Sequence, residues 1–165
     1  MKPQLLKIKT RLKICKFVVP LLFVTQAAFG APFITQDSGT TVLDEKTGLI
    51  WQRCSIGQAD DFVCSGTLTP VLWADALTYC NGLTLAGRIW RLPNINELET
   101  IVDRSKASGL KIDLTVFPAA ASVYWSSSSF VPGASSAWII HFGQGGVYPW
   151  NKNTLPFAVR CVSTL

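Results

Sequence analysis

Four cysteines, Cys54, Cys64, Cys80 and Cys161, follow a leader that is first basic and then apolar. No other feature limits the fold as much. Cysteines delivered to an oxidising compartment pair by default, and each pair closes a loop that the fold must accommodate. An even number fits two disulfides, and at this level three connectivities are open. Metal ligation would favour paired Cys-x-x-Cys spacings or nearby histidines, and the one histidine is His141. No metal and no cofactor is therefore expected. Ser55 to Val63 is polar, contains Gly57 and has neither helical nor strand periodicity. A local Cys54 to Cys64 bridge around it is the economical pairing, contributing about 2–3 kcal/mol on the chain-entropy estimate.

The leader reads as residues 1–30 of a signal peptide. Six of the fifteen Lys and Arg residues are Lys2, Lys7, Lys9, Arg11, Lys13 and Lys16, followed by an apolar run from Phe17 and then by Ala28-Phe29-Gly30. Basic, apolar and small-residue regions in that order predict cleavage after Gly30. The apolar run to Phe29 is shorter than the roughly 20 residues that cross a bilayer, and Pro20 and Gln26 interrupt it. An uncleaved anchor is the alternative. Cys15 precedes the apolar run, which is not the place of a lipid-attachment cysteine. Removal of the leader leaves nine basic against ten acidic residues, so a formal charge of +5 becomes −1. Basicity is then a targeting property, and nucleic-acid binding loses its support. The expected destination is the periplasm, the cell surface or the exterior, with no membrane span after cleavage.

Residues 31–40 read as a polar lead-in and 41–165 as one domain, large enough to bury roughly two thirds of the surface its unfolded chain exposes. Thr41–Asp44 and Leu49–Gln52 predict a hairpin, with Gly48 at a left-handed turn position. Trp73, Ala76, Leu77 and Cys80 form a helical stripe ending at Asn81-Gly82. A second helix opens at Asn94, with Glu97 placed to complete a capping box and Ile95, Leu98, Ile101 and Val102 on its buried face. Pro93 disfavours helix at Leu92, so Ile89 to Leu92 should be extended. From Ser122 onward the pattern is strand and turn: Val123–Phe130, Ala137–Phe142, Val147–Trp150 and Phe157–Val162, with short loops that imply antiparallel pairing.

Few residues invite chemistry. His141 lies mid-strand without a nucleophile or acid beside it in sequence. Ser126 to Ser129 lacks the Gly-x-Ser-x-Gly elbow, and Gly143 to Gly146 opens no helix that could cradle a phosphate. Asp60-Asp61 would be half a calcium site, but no further carboxylates cluster nearby. No catalytic set is expected. The most ligand-like cluster is Tyr148, Trp150, Asn151, Lys152 and Asn153, because aromatic faces cover apolar patches of a sugar or peptide while amides add directional hydrogen bonds.

In order, the chain carries Asp44-x-x-Thr47-Gly48-Leu49-Ile50-Trp51-Gln52, Trp73-x-x-Ala76-x-x-x-Cys80-x-x-Leu83, Trp90-Arg91-Leu92-Pro93-Asn94-x-x-Glu97-Leu98, Phe117-Pro118, Tyr124-Trp125-Ser126-Ser127 and Val159-Arg160-Cys161-Val162. In this series it resembles the domain family named for the C-terminal domain of the Legionella collagen-like protein. The resemblance implies an α+β, C-type-lectin-like fold, with two helices on a twisted antiparallel sheet and paired N- and C-terminal strands. It also implies a bridge from the first helix to the last strand, Cys80 to Cys161, which leaves Cys54 with Cys64. A closed loop of about 80 residues contributes roughly 4–5 kcal/mol in the entropy model. The adhesin that gives the family its name binds sulfated glycans and trimerises, so adhesin-like binding and a homo-trimer are implied. This chain departs from it in having no collagen-like repeat and no net positive charge after processing.

Lectins of this fold use Glu-Pro-Asn and Trp-Asn-Asp signatures to hold calcium. The nearest match is Trp150-Asn151-Lys152, where a cation replaces the carboxylate, so calcium-dependent sugar binding is not implied. Arg91-Leu92-Pro93 with Glu97 also looks distantly like formylglycine-generating enzymes, which need reactive cysteines. The expectation is a secreted or surface-displayed, non-catalytic module that recognises an extracellular glycan or protein through Tyr148 to Asn153. The alternatives are an assembly component of a surface appendage and an oxidoreductase of the formylglycine-generating kind.

Overall fold

A computed structural model describes residues 32–165; the signal-peptide reading lies outside the described residues. Seven strands and two helices form an α+β domain with two antiparallel sheets. The first sheet contains β1 (Phe33–Gln36), β2 (Thr41–Asp44), β3 (Leu49–Gln52) and β7 (Val162–Thr164) in the order β1-β2-β3-β7. The second contains β4 (Val123–Ser129), β5 (Ser136–His141) and β6 (Gly146–Asn151) in sequence order. The helices are α1 (Trp73–Gly82) and α2 (Ile95–Thr100). Among the described residues no helix is long and apolar enough to cross a membrane.

Neighbouring residues along the strands divide between two cores. Trp51, Tyr124, Ile140, Ala158 and Val162 pack with Leu98 and Ile101 from α2 and its C-terminal end. Their chain neighbours Ile50, Trp125, Ile139, Val159 and Cys161 pack with Ala76 and Cys80 of α1. Side chains alternate sides along a strand, so both faces of the strand layer are buried under different helices. That accounts for tryptophan and isoleucine runs without a clean polar alternation.

Local chemistry shapes the elements as the sequence predicts. In the β2–β3 hairpin, Lys46 N and Thr47 Oγ1 donate to the Asp44 carboxylate at 3.0 and 2.7 Å, and Gly48 takes φ 72°. The α1 stripe buries Ala76 and Cys80, and the helix ends at Gly82. At α2 the capping box is complete: Glu97 N donates to Asn94 Oδ1 at 2.9 Å and Asn94 N donates to Glu97 Oε2 at 2.8 Å. The stretch before Pro93 is extended, and Arg91 and Val162 exchange both backbone hydrogen bonds.

Three expectations need correction. Phe33–Gln36, read as part of a loose lead-in, is an edge strand on β2, with Phe33 edge-on to Phe117 at 5.6 Å. The single sheet is two. Phe157–Val162 is not one strand, because its backbone serves several partners in turn. Phe157 pairs with Val71, Ala158 bridges Tyr124, Val159 accepts from Ile56, and Cys161 accepts from Gln52. This connector joins the sheets, and regular pairing starts only at Val162, where the last strand meets β3. β4 matches its expected strand to within one residue and is bulged between Trp125 and Ser129. Its serines form a polar junction: Ser126 Oγ donates to Trp138 O at 2.7 Å, Ser128 Oγ accepts from Ile95 N at 3.1 Å, and Ser127 N donates to Pro93 O at 2.8 Å. The Ile95 amide is one of the orphan donors at the start of α2.

The disulfides join Cys54 to Cys64 and Cys80 to Cys161, with Cα atoms 5.1 and 5.5 Å apart. The second staples α1 to the connector that enters β7.

Candidate functional site

The outer edge of the second sheet is β6. Tyr148 and Trp150 stand opposite Ile139 and Ala137 in the register, so both side chains lie on the α1 side of the sheet, at its rim. Of the strand tryptophans, Trp51 and Trp125 are buried and Trp138 is half-buried. Trp150 is 39% exposed, beside Tyr148 at 41%. The inner side of Trp150 rests edge-on against Phe157 at 5.7 Å, and Phe157 in turn meets Trp125 at 4.9 Å. The exposed indole is thus anchored to the core and holds its orientation.

Pro149 faces outward between them. Lys152 N donates inward to Ser135 O at 2.9 Å, and antiparallel bonding alternates, so Tyr148 and Trp150 also bond inward. Pro149, opposite Trp138, then occupies the position whose N–H would point away from the sheet, and proline has none. A proline there blocks strand addition at the middle of the edge. What β6 offers a partner is side chains.

The turn after β6 supplies the polar groups. Asn151 Oδ1 accepts from Asn153 N at 2.9 Å, which fixes the turn, and among the described residues Asn151 Nδ2 and the exposed Asn153 side-chain amide have no partner. Lys152 is held differently. Its Nζ lies 4.1 Å from the Trp73 ring centroid and donates to Ser129 Oγ at 2.9 Å and Ala134 O at 3.0 Å. Its cation therefore braces three segments: the turn itself, the β4–β5 turn and the start of α1.

Elsewhere most of the tempting residues have structural partners. Glu97 receives a two-bond fork from Arg91, at 2.6 and 2.7 Å, as well as the Asn94 amide. Burial alone would raise its pKa, but Arg91 and the Asn94 N–H outweigh that and hold it below the usual carboxylate range. Arg91 is shifted upward by the same pairing. Asp61 accepts from Val63 N and Ser65 N at 3.1 and 2.9 Å and from Ser65 Oγ, which hold its carboxyl low. Among the described residues no group of three or more His, Cys, Asp or Glu is placed to hold a metal. His141 stands 6.5 Å from the Tyr148 ring, and its Nδ1 is buried without a partner. The four cysteines of the described residues are in disulfides.

Sequence reasoning missed two buried arginines. Arg160 is 1% exposed and has no acidic partner within ion-pair distance among the described residues. It donates to Gln52 O at 2.8 Å, to Arg53 O, to Ser55 Oγ and to Tyr124 OH, and its guanidinium lies 4.6 Å from the Phe117 ring centroid. Arg53, also 1% exposed, donates to the carbonyls of Val116, Gly39, Phe62 and Thr115. Burial and then the charge of Arg160 push its pKa down. These guanidinia gather carbonyls from loops that lack a ladder. The signal available in sequence was Arg160 lying between Val159 and Cys161, in a run otherwise apolar.

A cavity of about 440 Å³ lies between Gly87–Arg91 and Ser163–Leu165, away from the β6 rim. Its two cations are paired, Arg88 with Asp37 at 3.6 Å and Arg91 with Glu97.

Fold and rim together define a disulfide-stapled α+β domain that presents a side-chain surface at a strand edge closed to backbone pairing. Residues 40–163 match the Lcl C-terminal domain, and the chain belongs to that family. No curated protein and no solved structure matches it.

Proposed function

We propose that this chain is an exported, non-catalytic recognition domain of C-type-lectin-like arrangement. It binds an extracellular glycan or protein through Tyr148, Trp150, Asn151 and Asn153, while Lys152 braces the turn that carries them. The observation behind this reading is the anchored but exposed Trp150 beside free amide groups, on an edge where Pro149 blocks strand pairing. Large aromatic side chains with a fixed pose lose little conformational entropy on binding, which is why they dominate recognition surfaces. The disulfides and the leader support export. The Cys80–Cys161 bridge from α1 to the connector that enters β7, and the pairing of β7 with β3, support the lectin-like arrangement.

A printed array of glycans and extracellular proteins, probed with wild type and Trp150→Ala at equal foldedness by circular dichroism, tests the reading. At least one ligand should lose its signal in the variant. Retention of every signal would refute the assignment.

A further inference from the structure

The class of ligand follows from where the positive charges are held. Nine basic residues lie in the described part of the chain, and eight have their cationic groups engaged. Arg53 and Arg160 are buried on carbonyls. Arg88, Arg91 and Arg104 each face a carboxylate. Lys106 Nζ and Lys111 Nζ donate to the carbonyls of Ile112 and Lys106 at 2.6 and 2.5 Å. Lys152 is held by Trp73, Ser129 and Ala134. Among the described residues only the Lys46 ammonium has no partner, and it lines a cavity with Asp44, Asp103 and Asp113. A sulfate or carboxylate at the rim would meet one cation, Lys152, two of whose three N–H groups are already given to Ser129 and Ala134, on a molecule whose described part carries more acidic than basic residues.

The rim instead offers uncharged groups. Tyr148 and Trp150 are two residues apart on one strand face, which sets them about 7 Å apart. That spacing exceeds one pyranose ring. β-linked sugars with equatorial hydroxyls form a flat, extended ribbon whose faces are C–H groups, which suits aromatics set along a straight strand. The Asn153 amide, in the turn that follows Trp150, lies beyond the end of that line to meet hydroxyl groups, whereas Asn151, on the other face of β6, fixes that turn through its Oδ1.

We infer that the rim binds a neutral, β-linked oligosaccharide of at least two units, stacked on Tyr148 and Trp150 and hydrogen-bonded by Asn153. This rests on the rim reading proposed above.

The test is calorimetric titration of the full exported chain with the β-1,4-linked tetramers of glucose, N-acetylglucosamine and xylose, and with heparin tetrasaccharide as the polyanion. Titrations run at about 50 and about 500 mM salt, which changes charge screening severalfold. One neutral tetramer should bind with affinity altered less than about twofold by salt. Its affinity should fall at least about tenfold in both Trp150→Ala and Tyr148→Ala, at unchanged melting temperature. Heparin binding that collapses at high salt and in Trp150→Ala would overturn the neutral class and leave the rim standing. Binding by none of the four sugars would also overturn it, and the rim would then be judged on the protein half of the array. A neutral sugar bound equally by wild type and both variants would overturn the inference and the rim together.

Discussion

Lys152 and Trp73, far apart in sequence, meet with the ammonium 4.1 Å from the indole centroid. The contact is doubled along the backbone, where Trp73 N donates to Lys152 O at 3.4 Å. That amide is the first of α1 and has no partner within its own helix. The β6 turn and α1 are thus one mechanical unit, and the Trp73 indole extends it by donating to Ser126 O at 2.8 Å.

Lys152→Met keeps the apolar stem but removes the cation. With the cation–π contact and two hydrogen bonds gone, stability should fall by about 1 kcal/mol in urea denaturation. An unchanged midpoint would mean that the brace carries no energy.

The two disulfides should differ in worth. Opening Cys80–Cys161, which spans 81 residues, by a double Ser variant should cost about 4–5 kcal/mol, against about 2–3 kcal/mol for Cys54–Cys64, which spans 10. Chemical denaturation of the two double variants compares them directly, and the reverse order would refute the loop-entropy account.

Arg160→Lys should fail to replace Arg160. A guanidinium forks onto several acceptors at once, whereas an ammonium is a compact point charge. The carbonyls of Gln52 and Arg53 would lose donors inside the core, at about 1–3 kcal/mol for each acceptor left unpaired. Differential scanning calorimetry of Arg160→Lys and Arg160→Met should show both well below wild type.

The Arg91–Glu97 fork sets an acid-side dependence. The folded-state pKa of Glu97 lies below its unfolded value of about 4.3. Its contribution is therefore present above that unfolded value and is lost as pH falls through the folded value. Glu97→Gln should flatten the decline of stability with acid in that window and leave the slope near neutral pH unchanged. A full acid decline in the variant would assign the effect to other carboxylates.

What was legible in the sequence was what is local. Asn94 and Glu97 sit three residues apart, and a cap made at that distance depends on little else. The β2–β3 hairpin and the end of α1 at Gly82 are equally short-range, and so are β5 and β6 to within a residue or so. The connector Phe157–Cys161 was misread because its apolar alternation serves two cores and several backbone partners in turn, while a single ladder produces the same pattern. Arg160 was missed because an arginine among apolar residues looks identical whether it reaches solvent or a cage of carbonyls. At the rim, the composition of Tyr148 to Asn153 was legible. The engagement of Lys152 was not, since Trp73, Ser129 and Ala134 come to it only through the tertiary fold.

The most direct test of the proposed recognition surface is backbone and indole chemical-shift mapping by heteronuclear NMR on the protein, titrated with whichever array ligand it binds. The largest shifts should fall on Tyr148, the Trp150 indole N–H, Asn151 and Asn153, with smaller ones on Trp73 through Lys152. Shifts confined to Arg88, Ile89, Arg91 and Thr164 around the large cavity, with the Trp150 indole unmoved, would contradict the account.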